Sequence, residues 1–449
     1  MCGILGYFNT QEASPNWETQ ALAAMEYIGF RGPDGQRIKQ FKAGYFGHAR
    51  LSIIDLSEKG DQPMSDASKT LWLTFNGEIY NFQPLREELA RKYTFASRTD
   101  SEVLLYGYRE WGFEGMLQRI EGMFAFVLYD AEKKKLLGAR DHLGKKPFYY
   151  ATVNECFAFA SNIQAVRSLL DGFPVQINDD AVYEFLVKSY IAAPKTIYRE
   201  IQTLLPGHFF EYDLTTRELD TKPYWKHSLD PPETQSEAAW IQQVKEALIR
   251  ATEKRLISDV PIGAFLSGGI DSSLVCAIAK KELGYPVQSF TVRFAEREYN
   301  EADVAYRIAN HLDLDHQEFE FEKFHAEEIE KITAFFGQPF GDHSAIPTYH
   351  VAKLAAQHVK VVLTGDGGDE GFAGYQTSMA LQYAQRFGGI FGNPFVQTAA
   401  NRLPVIKSNK YVRGLTRLHA NQGGKYVVDI NGKKGFRHLT DSWRSTDPT

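Results

Sequence analysis

Near residue 240 the chain changes rhythm, and no single sheet architecture accommodates both halves. Up to about residue 205, short apolar runs recur between Gly, Asn and Asp turns, at 4–8, 45–54, 70–75, 124–129, 135–139, 148–152 and 156–160. Such runs read as strands. Helical patterns at 19–28, 84–92 and 101–111 interrupt them. Many short strands with a few helices predict an α+β layered domain over 2–205. Residues 206–240 are assigned to the connection, and their 223–240 part is turn-rich and polar. Beyond it the order is helix 241–255, strand 260–266, helix 272–283, strand 287–293, helix 301–311 and strand 316–320. Helices 324–336 and 345–358 and strand 359–364 follow. Strands alternating with helices predict an α/β doubly wound parallel-sheet domain over 241–400.

Composition narrows the function classes. The net charge is -6 over 449 residues, which supplies no global attraction to nucleic acid or an anionic membrane. No apolar run approaches the roughly 18 residues of a membrane span, and the first residues lack a basic, then apolar, leader. Three scattered cysteines, Cys2, Cys156 and Cys276, are too few for a disulfide framework or a zinc site. A reducing compartment, the cytoplasm, is the expected location.

Cys2 directly follows the initiator Met. Its removal would expose a residue carrying both a thiol nucleophile and an α-amine base, the amine titrating near pKa 8. A small residue at position 2 is the plain alternative. A glutamine site around that thiol needs further groups. Arg50 can grip the substrate α-carboxylate through its fork. Asp100 can hold the α-ammonium. The Asn76 amide and the Gly77 N–H are two donors for a tetrahedral oxyanion. Taken singly, each of these reads equally well as a surface ion pair or a hairpin turn.

Together the segments are specific. Cys-Gly-Ile-Leu-Gly-Tyr (2–7), Arg-Gly-Pro-Asp-Gly (31–35), His-Ala-Arg-Leu-Ser-Ile-Ile-Asp (48–55) and Asn-Gly-Glu-Ile-Tyr-Asn (76–81) occur in that order. Thr-Asp-Ser-Glu-Val (99–103) and Ala-Arg-Asp-His-Leu-Gly-Lys-Lys-Pro-Phe-Tyr-Tyr (139–150) follow. The set resembles the class II glutamine amidotransferase domain, an Ntn-hydrolase-type layered sandwich. The resemblance implies that Cys2 is the nucleophile, that Arg50, Glu78 and Asp100 bind glutamine, and that Asn76 and Gly77 form the oxyanion hole. One departure is Phe-Ala-Ser-Asn-Ile-Gln-Ala-Val (159–166). That family usually places Glu and Lys where this chain has Asn162 and Gln164, an inter-domain ion pair.

The second half carries two glycine-rich loops. Leu-Ser-Gly-Gly-Ile-Asp-Ser-Ser (266–273) follows an apolar strand and opens a helix. Gly268 and Gly269 allow a turn whose N–H groups point outward, and a helix N-terminus favours an anion. There is no Walker A lysine, and Asp271 read alone is an N-cap. Thr-Gly-Asp-Gly-Gly-Asp-Glu (364–370) puts three carboxylates after a strand, where open α/β sheets gather ligands. Clustered carboxylates suit Mg²⁺ carried with phosphates. A solvated acidic turn is the alternative.

These loops, with Ser-Phe-Thr-Val-Arg-Phe (289–294) and Gln-Pro-Phe-Gly-Asp-His-Ser-Ala-Ile-Pro-Thr (338–348) between them, resemble the ATP-pyrophosphatase-type half of the asparagine synthetase family. The resemblance covers residues 2 to about 380. It implies that Leu266, Ser267 and Val292 frame a nucleoside and that Gly268, Gly269, Asp271 and Ser272 hold phosphates. It adds Thr364 and Gly365 to the ATP site, puts Asp366 on the acceptor side, and makes Asp271 and Asp369 ligands of Mg²⁺. The family usually reads Leu-Phe-Gly-Gly-Tyr where this chain has Gly-Phe-Ala-Gly-Tyr (371–375). It also continues through a helical region carrying a lysine for the leaving pyrophosphate, and that segment is not found here. Residues 401–449 hold ten Lys or Arg against three Asp. They read as a shortened or divergent basic segment, in which Lys433, Lys434 and Arg437 are candidates for that charge and a solvated tail is the alternative.

The expected function is glutamine-dependent, ATP-consuming amidation of a carboxylate, aspartate by family default. It runs through an acyl-adenylate, with ammonia passed between domains. The expected partners are small molecules (glutamine, ATP and the carboxylate acceptor), with no nucleic acid and no membrane, and a homodimer is the assembly considered. The rivals are an aminating enzyme of sugars or phosphoribosyl groups, a β-lactam-forming relative, and a glutaminase joined to an incomplete synthetase with a regulatory role.

Overall fold

Residues 3–223 form two antiparallel sheets of six strands each. The structure is a computed structural model and describes residues 1–9, 16–228, 234–294, 300–321, 325–342 and 344–375. The first sheet orders its strands Gln202–Thr203, Tyr149–Val153, Cys156–Ala160, Gly3–Asn9, Gly44–Arg50 and Gly35–Phe41. The second runs Leu219–Pro223, His208–Asp213, Lys135–Arg140, Gly122–Asp130, Leu71–Ile79 and Met64–Ser65. Alternation along each strand sends every second side chain to the same face. Ile4, Phe8, Phe46, Phe157 and Phe159 of the first sheet thus meet Val127, Leu136, Phe210 and Tyr212 of the second in one cluster. Each fully buried Phe there contributes about 1.5–3 kcal/mol.

Helices cover both outer faces. Trp17–Gly29 and Ile163–Leu169 pack Ala21, Ala24, Met25, Ile28, Ile163 and Val166 on the first sheet. Phe82–Leu89 and Glu102–Leu117 pack Leu85, Leu89, Leu104, Leu105 and Met116 on the second. The layers run helix, sheet, sheet, helix, which is the Ntn-hydrolase-type sandwich expected.

The sandwich corrects the expected connection at 206–240. His208–Asp213 pairs with Lys135–Arg140, and Leu219–Pro223 pairs in turn with His208–Asp213. Residues up to 223 are therefore sheet. Their strand character comes from a partner some seventy residues away in sequence, so local turn signals concealed it. The helix at the far end, Glu237–Arg255, also starts inside the expected connection, where Ser236 Oγ accepts from Ala239 N–H at 3.3 Å.

The second half is a four-stranded parallel sheet in the order Asp315–Phe321, Gln288–Phe294, Ile262–Phe265, Val361–Leu363. By chain position that is third, second, first, fourth, so the winding reverses between Ile262–Phe265 and Val361–Leu363. Open α/β sheets bind ligands at such a point, beyond the carboxyl ends of the strands. Helices lie on both faces. Ile270–Ala277 and Ala302–Leu312 bury Cys276, Ala305 and Ala309 on one, and Ala345–Ala355 puts Ala355 against Phe290 on the other. The helix expected at 272–283 comes as Ile270–Ala277 followed by a wide turn, Ile278–Glu282.

The halves touch through polar contacts. Lys360 Nζ pairs with the Asp34 carboxylate at 2.8 Å. Asn162 Nδ2 donates to Phe335 O at 2.9 Å and Gln164 Nε2 to Gly337 O at 2.6 Å. At the two positions where the sequence departs from a charged pair, neutral amides reach main-chain carbonyls instead.

Candidate active site

Cys2 lies at the start of the strand Gly3–Asn9, one step beyond the Gly3–Ala49 pair and therefore beside Arg50. Its Sγ accepts from Leu51 N–H at 3.4 Å, and Arg31 Nε donates to its carbonyl at 3.0 Å. Asn76, Gly77 and Glu78 come from the strand Leu71–Ile79 of the other sheet, opposite Ala125, Phe124 and Met123. The sheets are tied behind the site by His48, whose Nε2 donates to Phe75 O at 3.1 Å. Burial pulls His48 down to about 4, so the imidazole is neutral. The two sheets meet in one cavity lined by Met1, Cys2, Arg50, Asn76, Gly77, Glu78, Asp100 and Lys146, among others.

The polar groups of this cavity are unevenly satisfied. The Asn76 side chain is fully buried, and both its amide atoms lack a hydrogen-bond partner among the described residues. An unmade buried bond costs about 1–3 kcal/mol, and this amide's hydrogen-bonding capacity is spent on none of the described residues. Asp100 accepts from Ile79 N–H at 2.7 Å, yet burial pushes its carboxyl up to about 7, with Glu78 and Cys2 adding to the rise. Burial also raises Glu78, against the opposing charge of Lys146.

Arg50 is more engaged than its expected role suggests. Its Nη1 donates to Asp61 Oδ1 at 2.6 Å and to Ser57 O at 2.8 Å, and Nη2 donates to Asp55 O. Arg37 also pairs with Asp61. Two guanidinium groups thus share the Asp61 carboxylate.

Sequence reasoning missed two residues here. Met1 lines the cavity, and burial lowers its amine to about 5. Lys146 is 2% exposed, lowered to about 8 by burial, and its Nζ contacts Met1 Sδ. The segment 139–150 marked the neighbourhood, but nothing in it distinguishes buried Lys146 from exposed Lys145.

A second constellation occupies the switch point. Leu266 directly follows the first parallel strand, with its side chain in the core. Gly268 has φ +82°, a conformation glycine adopts without a Cβ penalty. Ser267 and Ser272 share a hydroxyl–hydroxyl bond at 3.0 Å, and Ser273 Oγ donates to Gly269 O at 2.6 Å. The parallel register Phe265–Phe290 brings Val292 level with Ser267. From the other side of the switch point, Thr364 Oγ1 donates to Asp366 Oδ2 at 3.0 Å. The two loops touch: a Cβ at Gly365 would lie 2.7 Å from Ser272 N, and one at Gly368 would collide with the Asp271 carboxylate. All the sequence-expected residues of the second site thus lie on two facing loops and one neighbouring strand. Lys433, Lys434 and Arg437 lie outside the described residues.

These loops fit a nucleotide and its cation. N–H groups at a helix N-terminus suit phosphate. No group of three or more His, Cys, Asp or Glu is gathered for a metal among the described residues. A magnesium carried with phosphates needs only one or two carboxylates. Asp271, which has no hydrogen-bond or ionic partner among the described residues, and Asp369, next to Gly368, are of that kind.

Known proteins agree with both halves. The glutamine amidotransferase domain family matches residues 1–225 and the asparagine synthase family residues 243–437. The chain is 36% identical over 382 residues to asparagine synthetase [glutamine-hydrolyzing] 1 of Bacillus subtilis, covering 84% of this chain and 59% of that protein. The putative asparagine synthetase [glutamine-hydrolyzing] 2 of Methanocaldococcus jannaschii is 33% identical over 442 residues, 93% of this chain and 83% of that one. The amidase chyE of Penicillium rubens is 32% identical over 411 residues, 85% of this chain and 60% of its own length. This chain therefore spans less than two thirds of the Bacillus protein. No helix among the described residues is long and apolar enough to cross a membrane. Two domain matches in the right order, and one-third identity over 83% of one relative, place the chain in the family of glutamine-hydrolysing asparagine synthetases.

Proposed function

We propose that this chain hydrolyses glutamine at Cys2 and spends the released ammonia on a carboxylate activated with ATP at the switch-point loops. The observation that carries the reading is the orphaned, fully buried Asn76 amide in the same cavity as Cys2. Once Met1 is removed, the Cys2 α-amine takes the thiol proton and Sγ attacks the glutamine amide carbon. Asn76 Nδ2 and the Gly77 N–H receive the oxyanion. Asp100 and Glu78 hold the α-ammonium, and Arg50, which lines the cavity, draws the α-carboxylate.

In the second half, Leu266 backbone, Ser267 and Val292 frame the nucleoside. Gly268, Gly269, Ser272, Thr364 and Gly365 surround the phosphates, and Asp366 faces the acceptor. Asp271 and Asp369 would hold Mg²⁺, whose chemistry when bound is to neutralise phosphate charge. Adenylation of the acceptor carboxylate gives a leaving group that ammonia displaces. Ammonia must cross unprotonated, and a dry passage between the halves would keep it so. Aspartate is the first acceptor to test, because the Bacillus and Methanocaldococcus relatives are named for asparagine.

The test is glutamine-dependent AMP release across a panel of carboxylates, with the Cys2→Ala variant alongside. The expected result is aspartate-dependent AMP and pyrophosphate. In Cys2→Ala, glutamine hydrolysis should vanish while any ammonia-driven amidation remains. Undiminished hydrolysis in that variant removes the nucleophile assignment. Absence of AMP with every acceptor leaves a glutaminase with a regulatory synthetase half.

A further inference from the structure

The cavity around Cys2 contains a buried cation that the proposed chemistry leaves unused. Lys146 follows the strand Lys135–Arg140 and is 2% exposed. A buried ammonium normally has a carboxylate partner. The near candidate, Asp141, spends its carboxylate on the N–H groups of Phe124, Leu143, Lys145 and Lys146, at 2.9–3.2 Å. Glu78 lines the same cavity but forms no ion pair with Lys146. Among the described residues the only bond partner of the Lys146 ammonium is Met1 Sδ. That partner leaves with Met1 when the Cys2 amine is exposed.

We propose that Lys146 is a positioning residue whose charge, in no ion pair among the described residues, keeps the Cys2 α-amine neutral and favours loss of its thiol proton. The inference rests on the glutaminase reading. A cation beside an amine disfavours the ammonium form, and beside a thiol it favours the thiolate. The first keeps the amine unprotonated, and so available as the base, before the transfer; the second favours the thiolate that the transfer leaves. The charges facing Lys146 are the N-terminal amine, Cys2, Arg31, Glu78 and Asp141. Arg31 adds to the positive field, and its Nε is tied to Cys2 O. Glu78 opposes it, and Asp100 lies beyond Glu78 near Cys2. The alternative is that Lys146 only fills space under the N-terminus.

Two variants separate these roles. Lys146→Met keeps the length and removes the charge, and Lys146→Arg keeps the charge. Two pH profiles are read on the full chain after Met1 removal. One is glutamine turnover. The other is the rate of iodoacetamide alkylation at Cys2, followed by peptide mass so that buried Cys156 and Cys276 do not interfere. In Lys146→Met the acid limb of both profiles should move up by about one pH unit, and in Lys146→Arg it should return towards the native position. An unmoved limb in Lys146→Met overturns the proposal. So does equal impairment of both variants, which would show that shape alone matters. Alkylation needs no glutamine, so a failure of the glutaminase reading would show separately, as absent turnover with the alkylation shift intact.

Discussion

The main-chain N–H of Asp55 donates to the Asp259 carboxylate at 2.7 Å, and Asp259 N–H bonds back to Ile53 O at 3.0 Å. Ile53 and Ile54 line the Cys2 cavity, and Asp259 precedes the first strand of the parallel sheet. One wall of the proposed glutamine pocket is thus hydrogen-bonded directly to the second half. Asp259→Ala should leave the buried Asp55 N–H unpaired, at about 1–3 kcal/mol. The expected outcome is loss of coupling: more glutamine consumed per amide formed, with ammonia-driven product unchanged. Product and glutamate measured in one reaction decide it.

Asn76→Leu should separate activity from stability. Removing an oxyanion donor is expected to lower glutaminase kcat by about 10²–10³ with little change in KM. The same change replaces two unsatisfied buried atoms with an apolar group, so the denaturation midpoint should hold or rise. A marked fall in midpoint would mean that Asn76 has a structural partner.

Asp100 predicts opposite pH trends for stability and for binding. Burial raises its folded-state value to about 7, above the roughly 3.9 of an unfolded Asp. Between these values the folded state binds the extra proton, so this residue's contribution to stability falls as pH rises from about 4 to 7. Asp100→Asn should therefore gain stability at pH 7.5 relative to pH 4.5 when both proteins are compared by urea unfolding. Glutamine binding runs the other way, because its ammonium needs the ionised form: the native KM should rise as pH falls through 7.

Asp271→Asn and Asp369→Asn should each lose acceptor-dependent pyrophosphate release, by about tenfold or more, while keeping glutamine hydrolysis. Removing a carboxylate from a phosphate-bound cation leaves charge uncompensated. Pyrophosphate release at the native rate in either variant would remove that residue from the metal site.

The sites were more legible than the boundaries around them, and for a physical reason. Asn76–Glu78 and 364–370 are contiguous, so one short segment carries both turn and chemistry. The strand Gly35–Phe41 escaped notice because it is a sheet edge whose side chains are mostly exposed, which erases apolar alternation. His208–Asp213 was read as connection because its partner is distant. Lys146 could not be singled out because its interest lies in burial without an ionic partner, and that depends on how Asp141 spends its oxygens. The departure at Asn162 and Gln164 was visible, but their carbonyl partners, Phe335 and Gly337, required the fold.

The reversed strand order also sets a schedule. The layered half is closed by Leu219–Pro223, whereas the loops at the switch point cannot face one another until Val361–Leu363 docks beside Ile262–Phe265. About 140 residues separate these events. At about 5–20 residues per second on a ribosome, the cysteine half can be complete roughly 7–30 s before the nucleotide loops can assemble. Throughout that interval, a retained Met1 would keep the Cys2 amine locked in a peptide bond.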